Sequence, residues 1–273
     1  MIEILILGSS GFVGKNLVRA LHKKYKLKLI DVKSNDEFKN NRVSFKKKNI
    51  VNLSEHDFPK NKFIVINLCA VLGKKNYEEN YRNNVMSVNR IIKLLKKNKL
   101  FIGLLHFSSI SAQRKISHYG NTKFLSEKIV RNSDLPYVIL QSEMIIGKGA
   151  RSIEKIKKVS SFFPYFLPLP KGGKVIRYPI KIEKVIKIVL NIIKYREFHK
   201  KTFSLASKKI LFNIFLKKII KKKIIVPIPS FVILLIAKIL EKIFKNPVFT
   251  YDNAYGVVSN TELQYPKYIM RRK

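Results

Sequence analysis

Along the first half of the chain, short apolar runs alternate with segments whose apolar residues recur at helical spacing. Residues 2–7 form an apolar run ending in Gly8, and residues 12–22 then place Val13, Leu17, Val18 and Leu21 on one helical face. That pattern predicts strand, tight turn, helix. Residues 27–32, 63–70 and 100–108 read as further buried strands, with helix-period segments such as 84–96 between them, and residues 137–141 follow a helical stretch at 123–130 as another strand. Continuous apolar strands alternating with helices predict an α/β fold, a doubly wound parallel sheet with helices on both faces. Beyond Gly147 the pattern loosens: Pro- and Gly-containing segments at 163–173, a helix at 183–194, then lysine-rich amphipathic stretches. The expected division is 1–145 for the sheet domain and 146–273 for a smaller α+β lobe interleaved with it, lying over the carboxyl ends of the strands where ligands bind.

Composition changes this picture little. The 273 residues are 46% hydrophobic, with no Gly/Ser or Pro-rich linker and no internal repeat, as expected of one chain-long fold. The formal net charge of +39 would by itself suggest nucleic acid or an anionic membrane. Lysine is spread through nearly every segment beside abundant Ile and Asn, without an arginine-rich arm, so no specific nucleic-acid partner is expected; a basic surface favours a small anionic substrate. The single Cys69 excludes an internal disulfide, and no signal-like segment precedes the first strand, which points to the cytoplasm. The most apolar stretch, residues 231–240, falls short of the roughly 20 residues that span a bilayer. A membrane surface or a partner stays open for it, as does a homodimer.

Three features carry chemistry. Gly8-Ser9-Ser10-Gly11-Phe12-Val13-Gly14 lies directly between a strand and a helix, where glycines permit a tight turn, close approach of backbone to a pyrophosphate, and close helix packing. Asp31 closes the second strand roughly 20 residues after that turn, placed to accept from ribose hydroxyls and to repel a 2′-phosphate, which favours NAD(H) over NADP(H); Lys33 softens the preference. Tyr119 and Lys123 stand four apart on one helix face, and a neighbouring ammonium is expected to lower the phenol's pKa toward the working range of an acid/base. His106, His118 and His199 show no metal-ligand spacing, and no metal is assigned.

The glycine turn, Asp31, the run from Val65 to Ala70, Asn84-Val85, Phe107-Ser108-Ser109, Tyr119-Gly120-Asn121-Thr122-Lys123 and the stretch from Leu135-Pro136-Tyr137 to Gly147 occur in the order seen in NAD-dependent epimerase/dehydratase proteins. The chain resembles an extended or atypical short-chain dehydrogenase/reductase with a Rossmann sheet. The resemblance implies NAD as cofactor, held by Gly8, Ser10, Gly11, Phe12, Val13, Gly14 and Asp31, with further contacts at Asn49, Ile50, Leu68, Cys69, Ala70 and Asn84. It implies that Tyr119 moves the proton of a substrate hydroxyl or carbonyl while hydride moves to or from the nicotinamide, and that Lys123 holds the nicotinamide ribose. A strand-end serine would polarise the same oxygen, either Ser109 or, if the strand ends later, Ser111. Dehydration is disfavoured, because Ile110-Ser111-Ala112-Gln113 carries no carboxylate where the family's sugar dehydratases have an acidic pair. Gln141-Ser142 replaces the usual Arg-Pro, and Asn49 the acidic residue that meets adenine. The expected activity is epimerisation or oxidoreduction of a nucleotide-diphosphate sugar or related carbohydrate. The alternative is a non-catalytic dinucleotide-binding assembly protein, because Pro227-Ile228-Pro229 and residues 247–253 resemble relatives of the Rossmann-fold accessory subunit of respiratory complex I.

Overall fold

The computed structural model describes residues 2–34, 41–71, 77–220, 223–244, 247 and 249–270. Residue 248, part of the stretch likened to the complex I subunit, lies outside them.

The strands are β1 (Glu3–Leu7), β2 (Lys26–Asp31), β3 (Val43–Lys47), β4 (Phe63–Asn67), β5 (Phe101–Ser109), β6 (Tyr137–Ser142), β7 (Ile145–Ile146), β8 (Phe166–Pro170), β9 (Ile176–Arg177), β10 (Ile180–Lys181), β11 (Lys201–Leu205), β12 (Ile210–Leu211) and β13 (Ile224–Ile228). The helices are α1 (Phe12–Leu21), α2 (Tyr77–Tyr81), α3 (Ser87–Lys96), α4 (Ser111–Arg114), α5 (His118–Arg131), α6 (Arg151–Ser161), α7 (Ile182–Tyr195), α8 (Phe212–Lys217), α9 (Ser230–Ile243) and α10 (Tyr251–Val258). A π turn, Arg82–Met86, joins α2 to α3.

Seven strands form one sheet in the order β11-β6-β5-β4-β1-β2-β3, and every pairing is parallel. Side chains alternate across a strand, so consecutive apolar residues supply both faces at once. In β1, Ile4 and Ile6 join the core under α1 and α7, with Leu17, Val18, Val185, Val189 and Ile192; Leu5 and Leu7 join the opposite core with Val88, Ile91 and Leu95 of α3. This is why the central strands read as unbroken apolar runs. The direction of crossing reverses between β1 and β4, which opens the crevice at the carboxyl ends where ligands bind in such sheets.

The second half of the chain divides between two structures. Helix α7 and strand β11 return to the main sheet, and Ile188, Val189, Phe198 and Leu205 enter its core. A separate apolar cluster of Leu167, Leu169, Val175, Phe212, Phe215 and Leu216 holds the small ribbons β8/β13 and β9/β12 together. Helix α10 runs from this lobe back over the carboxyl edge of the sheet, and its Asp252 reaches α4 and the start of α5.

Candidate active site

The turn after β1 has the shape that its glycines allow. Gly8 adopts φ +85, a conformation L side chains rarely take, and a Cβ there would lie 2.9 Å from Cys69 Sγ. At Gly14 a Cβ would stand 2.5 Å from the Gly8 carbonyl oxygen, so α1 sits on the turn with no room for a methyl. Gly11 differs: its φ is −73, and a Cβ would meet only the Gly8 oxygen, at 3.6 Å. It begins α1 with no side-chain cap and no acidic residue in the first turn. An uncapped helix N-terminus offers backbone N–H groups and the positive end of the helix dipole, and the space beside Gly11 lets an anion approach them. The residues present therefore fit a dinucleotide's phosphates.

Asp31 is locked to the same turn. One carboxylate oxygen accepts the Ser10 N–H at 2.8 Å and the other the Lys33 N–H at 3.2 Å, while Ser10 Oγ donates to the Lys33 carbonyl at 2.7 Å. Asn49 caps the 3-10 turn Ile50–Asn52 by accepting from Val51 N, and Ile50 is buried against the sheet. Leu68 and Cys69 follow β4, packed against the glycine turn. Burial and then the Asp31 charge push the Cys69 thiol well above its usual pKa, against the pull of Lys123, which keeps it protonated beside the glycine turn. Asn84 is buried inside the π turn: it accepts from Val71 N at 2.9 Å and donates to Thr122 Oγ1 at 3.0 Å, tying the loop after Ala70 to α5.

Tyr119 and Lys123 lie in the first two turns of α5, where Ser117 caps the helix by accepting from Gly120 N at 3.0 Å. Strand β5 runs one residue beyond the expected end and finishes at Ser109, whose hydroxyl lies near enough to the Tyr119 phenol to favour its ionised form. Ser109 Oγ also accepts from Ser111 N at 3.1 Å. Ser111 turns away: its hydroxyl donates to Asp252 at 3.3 Å. Of the two serines, Ser109 is the one set against Tyr119. Lys123 is buried, and its ammonium donates to the Phe107 carbonyl at 2.7 Å. Burial lowers its pKa to about 8, against the pull of Glu127 and Cys69.

The expected lowering of the phenol pKa does not hold in this structure. The Tyr119 pKa is raised, first by burial, then by the carboxylates of Asp252 and Glu127, with the neighbouring Ser109 hydroxyl opposing. The ammonium that was expected to offset this is spent on Phe107 and Glu127.

Asp252 is the site residue that sequence reading missed. It comes from α10, more than 130 residues after Tyr119, and accepts from Ser117 at 3.0 Å as well as from Ser111. The only local signal is the capping box of Thr250 and Asn253, which marks a helix start and says nothing of what the helix faces. Glu127 was missed too. Its buried carboxylate accepts from Ser108, from the Gln141 amide at 2.8 and 3.0 Å and from Arg131 at 2.5 Å. Gln141, standing where the resemblance led us to expect Arg, thus serves as a neutral donor to a carboxylate that already has its cation in Arg131.

The model of the family described as "NAD dependent epimerase/dehydratase family" matches residues 4–178. The chain belongs to that family. NAD is accordingly its cofactor, and fold and family together make it an enzyme of the short-chain dehydrogenase/reductase type. No curated protein matches the chain by sequence. Among solved structures it is similar to the UDP-glucuronic acid 4-epimerase of Bacillus cereus in complex with NAD, at 21% identity and TM-score 0.69 over 83% of this chain and 86% of that one. A UDP-N-acetylglucosamine 4-epimerase of Methanobrevibacter ruminantium M1, in complex with UDP-N-acetylmuramic acid, gives 18% and 0.68 over 82% and 84%. The Bordetella bronchiseptica enzyme WbmF in complex with NAD+ gives 18% and 0.67 over 84% and 82%. At these identities the likeness speaks for the fold.

Proposed function

We propose that the protein interconverts an alcohol and a ketone on a nucleotide-diphosphate sugar, as a C4 epimerase or a reductase, with Tyr119 as acid/base, Ser109 as the donor to the reacting oxygen, and Lys123 serving the nicotinamide ribose. The observation that carries this reading is the convergence of Ser109, at the carboxyl end of β5, on Tyr119, with Lys123 one turn further along the same helix. The solved structures of similar fold support the substrate class, since they include UDP-sugar epimerases.

NAD+, when bound, supplies a hydride acceptor. In the reducing direction the Tyr119 phenol gives its proton to the substrate oxygen; in the oxidising direction its phenolate takes the proton of the sugar hydroxyl. Ser109 holds the same oxygen by a hydrogen bond that strengthens as negative charge develops. Asp31, pinned to the Ser10 and Lys33 backbone, keeps lone pairs for ribose hydroxyls and disfavours a 2′-phosphate. The absence of a carboxylate at 110–113 argues against dehydration.

Tyr119→Phe tests the assignment, because it removes only an oxygen. Turnover of a UDP-sugar, followed through cofactor absorbance or product epimer, is expected to fall by roughly 10²-fold to 10⁴-fold while NADH binding and the unfolding midpoint stay near wild type. Unchanged turnover in that variant would remove Tyr119 from the chemistry and leave only a cofactor site.

A further inference from the structure

We infer that α9 is a docking helix for an anionic lipid surface, lying in the plane of the headgroups with its apolar side down. The inference does not depend on which reaction the site performs.

Helix α9 is apolar on its outward side as well as on the side where Ile233, Leu234 and Leu240 are half-buried. A surface helix turns its apolar stripe inward, yet of the fourteen residues in α9 only Ala237 is buried. Phe231, Leu235, Ile239 and Ile243 recur every four residues on the side opposite Ala237, and at about 100° per residue Ile236 falls at the edge of that stripe, beside Ile243. All five are exposed, Phe231 at 68%, Leu235 at 55% and Ile243 at 67%. Lys238 and Lys242 flank this stripe, both exposed, and give that part of the surface positive charge. Glu241 falls on the protein side and accepts from Tyr251 N at 2.9 Å, and Lys238 lies over the Tyr251 ring at 5.4 Å, so α10 holds the helix from behind.

The preceding ribbon continues the theme. Phe166 and Ile224 pair across β8 and β13 and are both exposed, as is Val226 two residues on along the same face. The exposed Lys208, Lys209, Lys217 and Lys218 of the same lobe add positive charge.

Charge selects the occupant. A second copy of this chain would bring a second set of these lysines onto the first, in a protein whose net charge is already +39. An anionic bilayer complements both features, since apolar burial and attraction to acidic headgroups together hold an amphipathic interfacial helix. The fourteen residues of α9 are too few to cross the bilayer, and no described helix is long and apolar enough to do so.

The test is flotation of the full chain with vesicles of phosphatidylcholine alone or of phosphatidylcholine mixed with phosphatidylglycerol. Binding is expected on the mixed vesicles, weak on the neutral ones, and reduced by added salt. The double variant Leu235→Glu/Ile239→Glu, both positions exposed and remote from the glycine turn in sequence, is expected to lower partition by about tenfold or more, with NADH affinity and the unfolding midpoint retained. No binding to the mixed vesicles overturns the inference. So does equal binding by the double variant, which would leave charge alone as the cause. A concentration-dependent dimer in sedimentation that the variant converts to monomer, with vesicle binding unchanged, would assign the face to a second copy instead.

Discussion

At the scale of single residues, the site sets two carboxylates against one phenol. Glu127 is neutralised by Arg131 and bonded to Ser108 and Gln141, whereas the donors found for Asp252 are the hydroxyls of Ser111 and Ser117. A carboxylate with neutral donors keeps its full charge, and a like charge nearby disfavours the phenolate. Asp252→Asn keeps an acceptor for the serine hydroxyls and removes the charge, so the Tyr119 pKa is expected to fall. The limb of the pH profile of kcat/KM that reports Tyr119 should then move to lower pH. An unmoved limb would mean that Asp252 only anchors α10. Lys123 makes a second pH-dependent claim: with a pKa of about 8, its ammonium is lost as pH rises through that value. NADH affinity, titrated across that range, should drop with it. Lys123→Met should bind weakly and without this pH dependence; a drop of the same size in that variant would assign the titration to another group.

At the scale of elements, the three glycines of the first turn have different tasks. Gly14→Ala forces a methyl to within 2.5 Å of a backbone oxygen and should cost about 1–3 kcal/mol of stability or more. Gly11→Ala meets no such obstacle; it should cost no more than about 1 kcal/mol, as a weaker helix cap, while NADH affinity falls because the methyl takes the space an anion needs. Denaturant unfolding and cofactor titration of both variants check this, and a Gly11→Ala protein that binds NADH normally would place the phosphates elsewhere. Local pattern made this turn legible, as it did the strands that are buried on both faces. The outer strands escaped because they alternate less cleanly: Val43–Lys47 ends in two lysines, and Lys201–Leu205 is half exposed at its start. Buried polar pairing between strands was equally hidden. On β4 and β5 the register sets Asn67 against His106; the Asn67 amide donates to His106 Nδ1 at 3.1 Å, leaving the ring proton on Nε2, 3.5 Å from Ser126 Oγ. Burial, with Lys123 and Arg131 nearby, holds the His106 pKa well below the usual 6.5. The unfolded chain therefore takes up a proton that the folded one refuses as pH falls below that value, and stability declines. Asp57, whose carboxylate is held below its usual range by Lys46 and Lys48, adds its own loss only further down, below 3.8. Urea unfolding between about pH 7 and pH 5 should thus show a steeper loss in the wild type than in His106→Gln; equal slopes would point to a different titrating group.

At the scale of the whole molecule, the chain closes on itself. Strand β11 is an edge of the main sheet, and an uncovered edge invites pairing with another chain. Residues 265–268 lie along it: Ser204 N donates to the Pro266 carbonyl at 2.9 Å, Ser204 Oγ to the Tyr265 carbonyl at 2.9 Å, and Ser204 bridges to Lys267 in parallel. Tyr265 accepts from Arg131 at 3.0 Å, so the same segment also touches the helix that carries Tyr119 and Lys123. Tyr268 drives the closure home. Its ring is buried edge-on to Phe203 at 5.3 Å, and its single hydroxyl proton is shared between the Glu197 carboxylate and, at 2.6 Å, the Asn191 side-chain oxygen. This places Tyr268 in the same core as Ile4 and Ile6. Tyr268→Ala removes the ring and both hydrogen bonds, and is expected to cost about 3–5 kcal/mol by the measure of large core truncations. Tyr268→Phe keeps the ring and should cost about 1–3 kcal/mol, since it strips the donor from the buried Glu197 carboxylate. Because the tail covers an edge, Tyr268→Ala should also aggregate at concentrations where Tyr268→Phe stays soluble, with NADH affinity of the folded fraction unchanged in both. Denaturant unfolding together with light scattering separates the two effects, and a Tyr268→Ala protein of wild-type stability would show that residues 265–268 rest on β11 without holding it.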